Sequence, residues 1–318
     1  MKKIQKIQKI QKILVILIAL SVIGLGATSV EAIAAVKKKT HASRHVKSGK
    51  KPASISRKVG YRPSVLSLRS SGVLVQDQVT GAVLFEKNAS AVMSIASITK
   101  LMTAMVVLDA KQDLSEMLAV DEADMDTLRG SRSRLPVGTL LTREDMLRLA
   151  LMSSENRAAS ALSRYYPGGR SAFIAAMNAK AAALGMMDSR FLDPTGLNAE
   201  NVSTPRDLAR MVDAAYHYPM IREFTTTASE MVDVAGHVQQ FNNTNVLIRN
   251  QNSSWEIGLS KTGFINEAGR CLVMQAEINH QPVIIVLLDS VGKMTRIGDA
   301  NRIKSWFETT PRQRSTSS

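Results

Sequence analysis

The chain has 318 residues, and its single cysteine, Cys271, excludes an intramolecular disulfide, so the fold rests on its core. Its formal net charge of +14 is concentrated at one end: of 41 Lys and Arg, 14 lie in residues 1–58 against one acid, Glu31, and the remaining 27 face 26 acids. A nearly neutral bulk with only 4% aromatic residues offers few stacking platforms, which argues against nucleic acid as a partner.

A basic start precedes an apolar run from Ile13 to Ala27, followed by small-residue sites at Val30-Glu31-Ala32 and Ala32-Ile33-Ala34. This order predicts a secretory signal peptide over residues 1–34. The alternative is a retained membrane anchor, but a spanning helix asks for roughly 20 apolar residues and the run falls short. A lipoprotein anchor would need a cysteine at the cleavage site, and Cys271 is the only one. The expectation is therefore an exported, periplasmic protein with no stable membrane anchor after cleavage. Residues 35–64 are rich in Lys and Arg, with no acid between positions 36 and 58. They predict a disordered basic spacer, too polar to bury a core, with weak adhesion to an anionic surface as the sharper alternative. A single large domain is expected over residues 65–310, then a polar tail over 311–318.

Within that domain, Gly72–Asp77 and Ala82–Lys87 read as short strands around a turn at Gln78–Gly81. Ile98–Ala110 is apolar on most faces and predicts a central buried helix. Thr142-Arg-Glu-Asp145 has the spacing of a capping box ahead of Met146, Leu147, Leu149 and Leu151. Further helices are expected over Arg157–Tyr165 and Ser171–Leu184, the second ending at Gly185. Thr204-Pro205 opens another. Leu272–Ile278 and Val283–Leu288 flank Asn279-His-Gln-Pro282 as a hairpin would, and Arg296–Phe307 reads as a closing helix. Strands at both ends with helices between predict an α/β fold of the α+β kind. It has one antiparallel sheet made from both termini, flanked by helices, and an inserted all-α subdomain.

The five histidines (His41, His45, His217, His237 and His280) show no ligand spacing and there is no cysteine pair, so neither a metal nor a cofactor is expected. The Gly-x-Ser-x-Gly elbow of the α/β-hydrolases is missing from the sequence. Three short motifs do occur in order: Ser97-Ile-Thr-Lys100, Ser154-Glu-Asn156 and Lys261-Thr-Gly263. Singly they are weak, since the basic segment contains Ser48-Gly-Lys-Lys51 by composition alone. A serine heading a helix is often just an N-cap, and a lysine one turn on is often a surface group.

Context distinguishes the three. Ser97 stands at the head of the buried helix, where free N–H groups and the positive dipole end lie. Lys100, three residues on, shares its face and can reach the hydroxyl. A lysine can serve as the activating base if it is neutral. An amine that ordinarily keeps its proton to about pH 10.4 becomes neutral through burial and a second cation, and Lys261 is the candidate for that cation. Ser154 and Asn156 fall between two helices, where polar groups can face a cleft. Lys261-Thr262-Gly263 precedes a strongly β sequence and suits a strand edge. Gly263 would let a substrate backbone approach, and the N–H groups of Phe264 and Ser97 could form an oxyanion hole.

These motifs, with Asp193-Pro-Thr-Gly-Leu197, Asp207-Leu-Ala209 and Gly258-Leu-Ser-Lys-Thr-Gly-Phe264, resemble the penicillin-recognising serine enzymes. More narrowly they resemble the D-alanyl-D-alanine carboxypeptidase/endopeptidase family. The resemblance implies a β-lactamase/transpeptidase-like fold. It implies an acyl-enzyme on Ser97, with Lys100 taking its proton and Ser154 passing it to the leaving amine. Asn156, Lys261, Thr262, Gly263, Phe264 and, further along, Arg296 would hold the substrate. The implied partners are peptidoglycan peptide stems, with β-lactams as covalent inhibitors. The chain runs 55 residues past Gly263. That length resembles the shorter endopeptidase branch, the penicillin-binding protein 7 type, which cuts D-Ala–diaminopimelate cross-links. Terminal D-Ala trimming is the alternative. Phe264 departs from the polar residue or histidine common in the family. A class A-like β-lactamase would want a Glu-x-x-Leu-Asn loop, which the sequence lacks. A non-catalytic peptidoglycan-binding protein would not need three intact motifs.

Overall fold

The computed structural model describes residues 66–250 and 252–309. The expected signal peptide, basic spacer and polar tail lie outside the described residues.

Strands β1 (Gly72–Asp77) and β2 (Val83–Lys87) form the first hairpin. A two-residue strand β3 (Met93–Ser94) and a 3-10 turn (Ala96–Ile98) lead into helix α1 (Thr99–Asp109). Then come β4 (Met117–Ala119), β5 (Leu140–Thr142), α2 (Arg143–Met152), α3 (Asn156–Arg164) and α4 (Gly169–Ala183). Next are β6 (Val202–Ser203), α5 (Pro205–Tyr216), α6 (Pro219–Thr226), β7 (Ser229–Val234), β8 (His237–Asn242) and the single turn α7 (Val246–Arg249). The chain closes with β9 (Glu256–Ile265), β10 (Gly269–Ile278), β11 (Gln281–Ser290) and α8 (Thr295–Thr309).

The main sheet is antiparallel in the order β2-β1-β11-β10-β9, so the first strands of the domain are zipped to its last three. Both faces are covered, and this explains why β10 and β11 read as unbroken apolar runs rather than alternating ones. On β11, Val283, Ile285 and Leu287 pack towards Ile297, Ala300 and Ile303 of α8. Ile284, Val286 and Leu288 belong to the larger core on the other side. The β10–β11 turn is just Asn279-His280, with φ of 52° and 58°, the paired positive angles that let a two-residue loop follow the twist of the strands. Pro282 already pairs with Glu277 inside the ladder.

Helix α1 is the hub of the inserted part. Thr99 to Val107 are all buried, and α2 to α6 each pack against it. A helix surrounded on every side needs no polar stripe, as its sequence suggested. Helix α2 starts where the capping signal placed it, with Thr142 Oγ1 accepting from Asp145 N at 3.0 Å. The insertion is not purely helical. It carries the pairs β3–β6, β4–β5 and β7–β8. The β7–β8 hairpin turns at Ala235-Gly236, with φ of 53° and 82°. Its outward side chains Met231 and Val238 are exposed, so its strands lack the apolar contrast that would have announced them.

A buried carboxylate ties α8 to the start of the sheet. Asp299 is fully buried and accepts from Ser70 N (2.7 Å), Ser70 Oγ (2.6 Å) and Arg69 N (3.0 Å), with Arg302 as its ion-pair partner. Burial alone would raise its pKa, yet these hydrogen bonds, Ser70's foremost, hold it below the ordinary value. Asp299→Ala strands several donors at once and should lower stability by about 2–4 kcal/mol. Urea unfolding should show this as a lower midpoint at unchanged slope.

Candidate active site

The three sequence motifs converge on one cleft, each carried by a different element. Ser97 occupies the 3-10 turn before α1, and Lys100 lies in the first turn of that helix. Ser154 sits in the α2–α3 connection with φ of 62°, and Asn156 is the first residue of α3. Lys261, Thr262 and Gly263 lie on β9, the edge strand facing the nucleophile turn. An edge strand leaves alternate backbone groups free to pair with an extended ligand.

Lys100 is fully buried, and its Nζ lies 3.0 Å from Ser97 Oγ. The same amine donates to Asn156 Oδ1 at 2.8 Å and to the Thr195 carbonyl at 2.7 Å. Those two partners are acceptors only, so they hold the two N–H bonds of a neutral amine and turn its lone pair to the serine hydroxyl. Burial brings the Lys100 pKa down to about 7, against the upward pull of Asp193 and Glu155. The sequence suggested that Lys261 would help; here burial alone accounts for the fall. The coupling is felt at Lys261, which is pushed well down by burial, then by Lys100 and Arg296. Lys261 Nζ donates to Ser154 Oγ at 2.9 Å, so each of the two serines has its own buried lysine.

Several supporting groups were given no role by the sequence: Asn201, Ser131 and Thr244 carried no signal, and Asp193 appeared only within the Asp193-Pro-Thr-Gly-Leu197 signature. Asp193 folds the Asp193–Asn198 loop around its carboxylate, accepting from Thr195 N (2.6 Å), Gly196 N (2.5 Å) and Asn198 N (2.6 Å). That loop aims the Thr195 carbonyl at Lys100. Gly196, at φ of 80°, presses against the nucleophile turn so closely that a Cβ would stand 1.9 Å from Ala96 O. Asn201 Nδ2 links the loop to α1, donating to Asp193 O (2.9 Å) and Thr99 Oγ1 (3.1 Å). The Asp193-Pro-Thr-Gly-Leu197 signature marked this segment in the sequence, and its Asp-to-Gly pattern is loop-forming; the fold adds that the loop aims a carbonyl at Lys100. Asn156 Nδ2 donates to Ser131 Oγ at 3.0 Å, and Thr262 Oγ1 lies 2.6 Å from Thr244 Oγ1.

Gly263 also lies close to the nucleophile turn: a Cβ there would be 2.9 Å from Ile95 O and 3.2 Å from Ser97 N. Arg296, in the first turn of α8, places Nη1 3.3 Å from Gly263 O. Phe264 is half exposed at the strand edge. All nine residues singled out from the sequence thus lie in or beside one cleft. Among the described residues no cluster of His, Cys, Asp and Glu could hold a metal ion, and no helix is long and apolar enough to cross a membrane.

A serine touching a buried, near-neutral lysine at the head of a helix, beside an edge strand of a five-stranded sheet, defines a serine acyl-transfer enzyme of the penicillin-recognising fold. The chain belongs to the D-alanyl-D-alanine carboxypeptidase family, whose description matches residues 59–292, and it is a hydrolase of that family. It is 51% identical over 249 residues to a D-alanyl-D-alanine endopeptidase of Pseudomonas aeruginosa, covering 78% of this chain and 80% of that one. A D-alanyl-D-alanine endopeptidase of Escherichia coli is 47% identical over 244 residues, covering 76% and 78%. The crystal structure of the Streptomyces K15 DD-transpeptidase superposes with a TM-score of 0.70 at 30% identity, covering 77% of this chain and 98% of that one.

The lowered Lys100 pKa has a consequence for stability. Between about 7, its folded value, and 10.5, its ordinary one, the unfolded chain binds a proton that the folded chain does not. Stability attributable to this group therefore rises with pH across that window. Urea unfolding from pH 7 to 9.5 should show the rise in the wild type, with a shallower slope in Lys100→Met.

Proposed function

We propose that this chain is an exported D-alanyl-D-alanine endopeptidase of the bacterial cell wall. It would cut D-Ala–diaminopimelate cross-links through an acyl-enzyme on Ser97. The observation that carries the chemistry is the 3.0 Å contact between Ser97 Oγ and a lysine whose pKa is near 7. The choice of bond is supported by the relatives at 51% and 47% identity, both of which bear the endopeptidase name.

Ser97 Oγ attacks the D-Ala carbonyl carbon as neutral Lys100 takes the hydroxyl proton. The oxyanion forms between the N–H groups of Ser97 and Phe264. Ser154, held by Lys261, passes a proton to the departing amine. Asn156 binds the substrate amide, while Lys261, Thr262 and Arg296 meet the carboxylate of the leaving residue. Gly263 lets the substrate backbone lie against β9 without a side chain in the way. Water then releases the acyl group, and a β-lactam would acylate the same serine and stall. The functional domain is proposed to span residues 65–310, behind a signal peptide over 1–34 that directs it to the periplasm and a basic spacer over 35–64. Trimming of terminal D-Ala uses the same serine and is the competing reading.

Digestion of purified cross-linked muropeptides with a mass readout tests the proposal. Loss of dimers is expected; release of terminal D-Ala with dimers intact would establish the carboxypeptidase instead. Ser97→Ala should abolish covalent labelling by a fluorescent penicillin and lower turnover on the order of 10⁶-fold. The pH dependence carries its own sign. Only unprotonated Lys100 accepts the serine proton, so acylation should climb through a pKa of about 7 and then level off. A rate still climbing above pH 10, with the fold intact, would remove Lys100 from the role of base.

A further inference from the structure

One face of the β9–β10 pair carries two side chains, Phe264 and Arg270, that the reaction above leaves without a task. Side chains alternate along a strand, so Thr262 and Phe264 share the face opposite to Lys261 and Gly263. Phe264 is 51% exposed. Arg270 stands directly across the β9–β10 pair from it, with its guanidinium 4.4 Å from the ring centroid. Arg296 reaches the same edge from α8, and its Nε is buried with no hydrogen-bond partner. Among the described residues neither arginine has a carboxylate at ion-pair distance. Two guanidiniums are thus held near one another without a counter-ion. The Arg296 pKa is lowered accordingly, by burial first and then by Arg270.

We infer that Phe264 and Arg270 form a leaving-group subsite for the acidic peptide stem released when a cross-link is cut, the ring carrying its aliphatic chain and Arg270 one of its carboxylates. The inference rests on the endopeptidase reading and sharpens it. A carboxypeptidase releases free D-Ala with one carboxylate, which Lys261, Thr262 and Arg296 already answer, so Arg270 would be a cation in excess. An endopeptidase releases a peptide that continues past its first carboxylate and bears further ones. Such a leaving group offers chain to lie on an exposed ring and a second charge for the unpaired guanidinium. Arginine stacked on an aromatic face keeps its N–H edges free for a carboxylate, so the two contacts are compatible.

The test compares wild type with Arg270→Gln and Arg270→Lys, using the full chain. It reads kcat/KM on a purified cross-linked muropeptide dimer, and the rate of acylation by a fluorescent penicillin reports on the assembled site. Arg270→Gln should lower kcat/KM on the dimer about tenfold, the loss expected of one charge-assisted contact, while penicillin acylation stays within about twofold. Arg270→Lys should recover part of the loss. Amidating the carboxylates of the leaving stem should bring wild type down to the rate of Arg270→Gln without slowing that variant further. Equal dimer cleavage by wild type and Arg270→Gln overturns the subsite. So does a parallel fall in dimer cleavage and penicillin acylation, which would mark a general structural role. A wild type that leaves dimers intact overturns the endopeptidase reading and the subsite with it.

Discussion

A primary amine enclosed by protein beside a serine hydroxyl is costly, and much of this structure is arranged around holding it. Burial favours the neutral form of Lys100, and neutrality is useful only if the lone pair points at Ser97. The direction is set by Asn156 Oδ1 and Thr195 O, which come from a helix start and a loop far apart in the chain. Each of those needs its own support. Asn156 is anchored to Ser131, and the Thr195 carbonyl depends on a loop wound around the Asp193 carboxylate. Gly196 then sits so close to Ala96 that no side chain fits between the loop and the nucleophile turn. One amine excluded from water therefore constrains three separate segments.

The sheet supplies the other half of the cleft. Because β1 is zipped to β11, the first and last parts of the domain form a single platform with β9 left at its edge. The insertion carrying Ser97, Ser154 and Asn156 lies against that edge, with the nucleophile turn packed on β9. The cleft is consequently a seam between a stiff ladder and a helical body, with no element of its own. Asp299 clamps α8 to the start of β1 and so fixes the helix from which Arg296 reaches the seam.

Side-chain pairs in this site were legible in the sequence, and the carbonyl that orients Lys100 was not. Ser97 and Lys100 could be paired because helical spacing puts positions three apart on one face, and the contact is there. Lys261-Thr-Gly263 could be placed on a strand edge because the following residues are so strongly β-forming. The Thr195 carbonyl could not be found in the same way, since every residue has a carbonyl and only the fold decides which one is aimed. The β7–β8 hairpin was hidden because its outward face carries Met231 and Val238, which blur the alternation. Arg270 was hidden because its meaning depends on register. Only the pairing of β10 with β9 sets it across from Phe264.

The two lysines also show why motif spacing alone underdetermines mechanism. On paper Lys261 was the second cation that would depress Lys100. In the folded chain, burial depresses Lys100, while the charges of Asp193 and Glu155 hold it up near neutrality. Without those carboxylates the amine would be a weaker base, neutral over a wider range but with less drive to take a proton. Glu155 is the middle residue of the Ser-x-Asn motif, the position a pattern leaves unspecified. It is buried, accepts from Ser133 Oγ at 2.7 Å and is paired with Arg134. The residue that a motif treats as filler thus contributes to the electrostatics of the nucleophile's base, and its partners Ser133 and Arg134 belong to a loop that the motif never mentions.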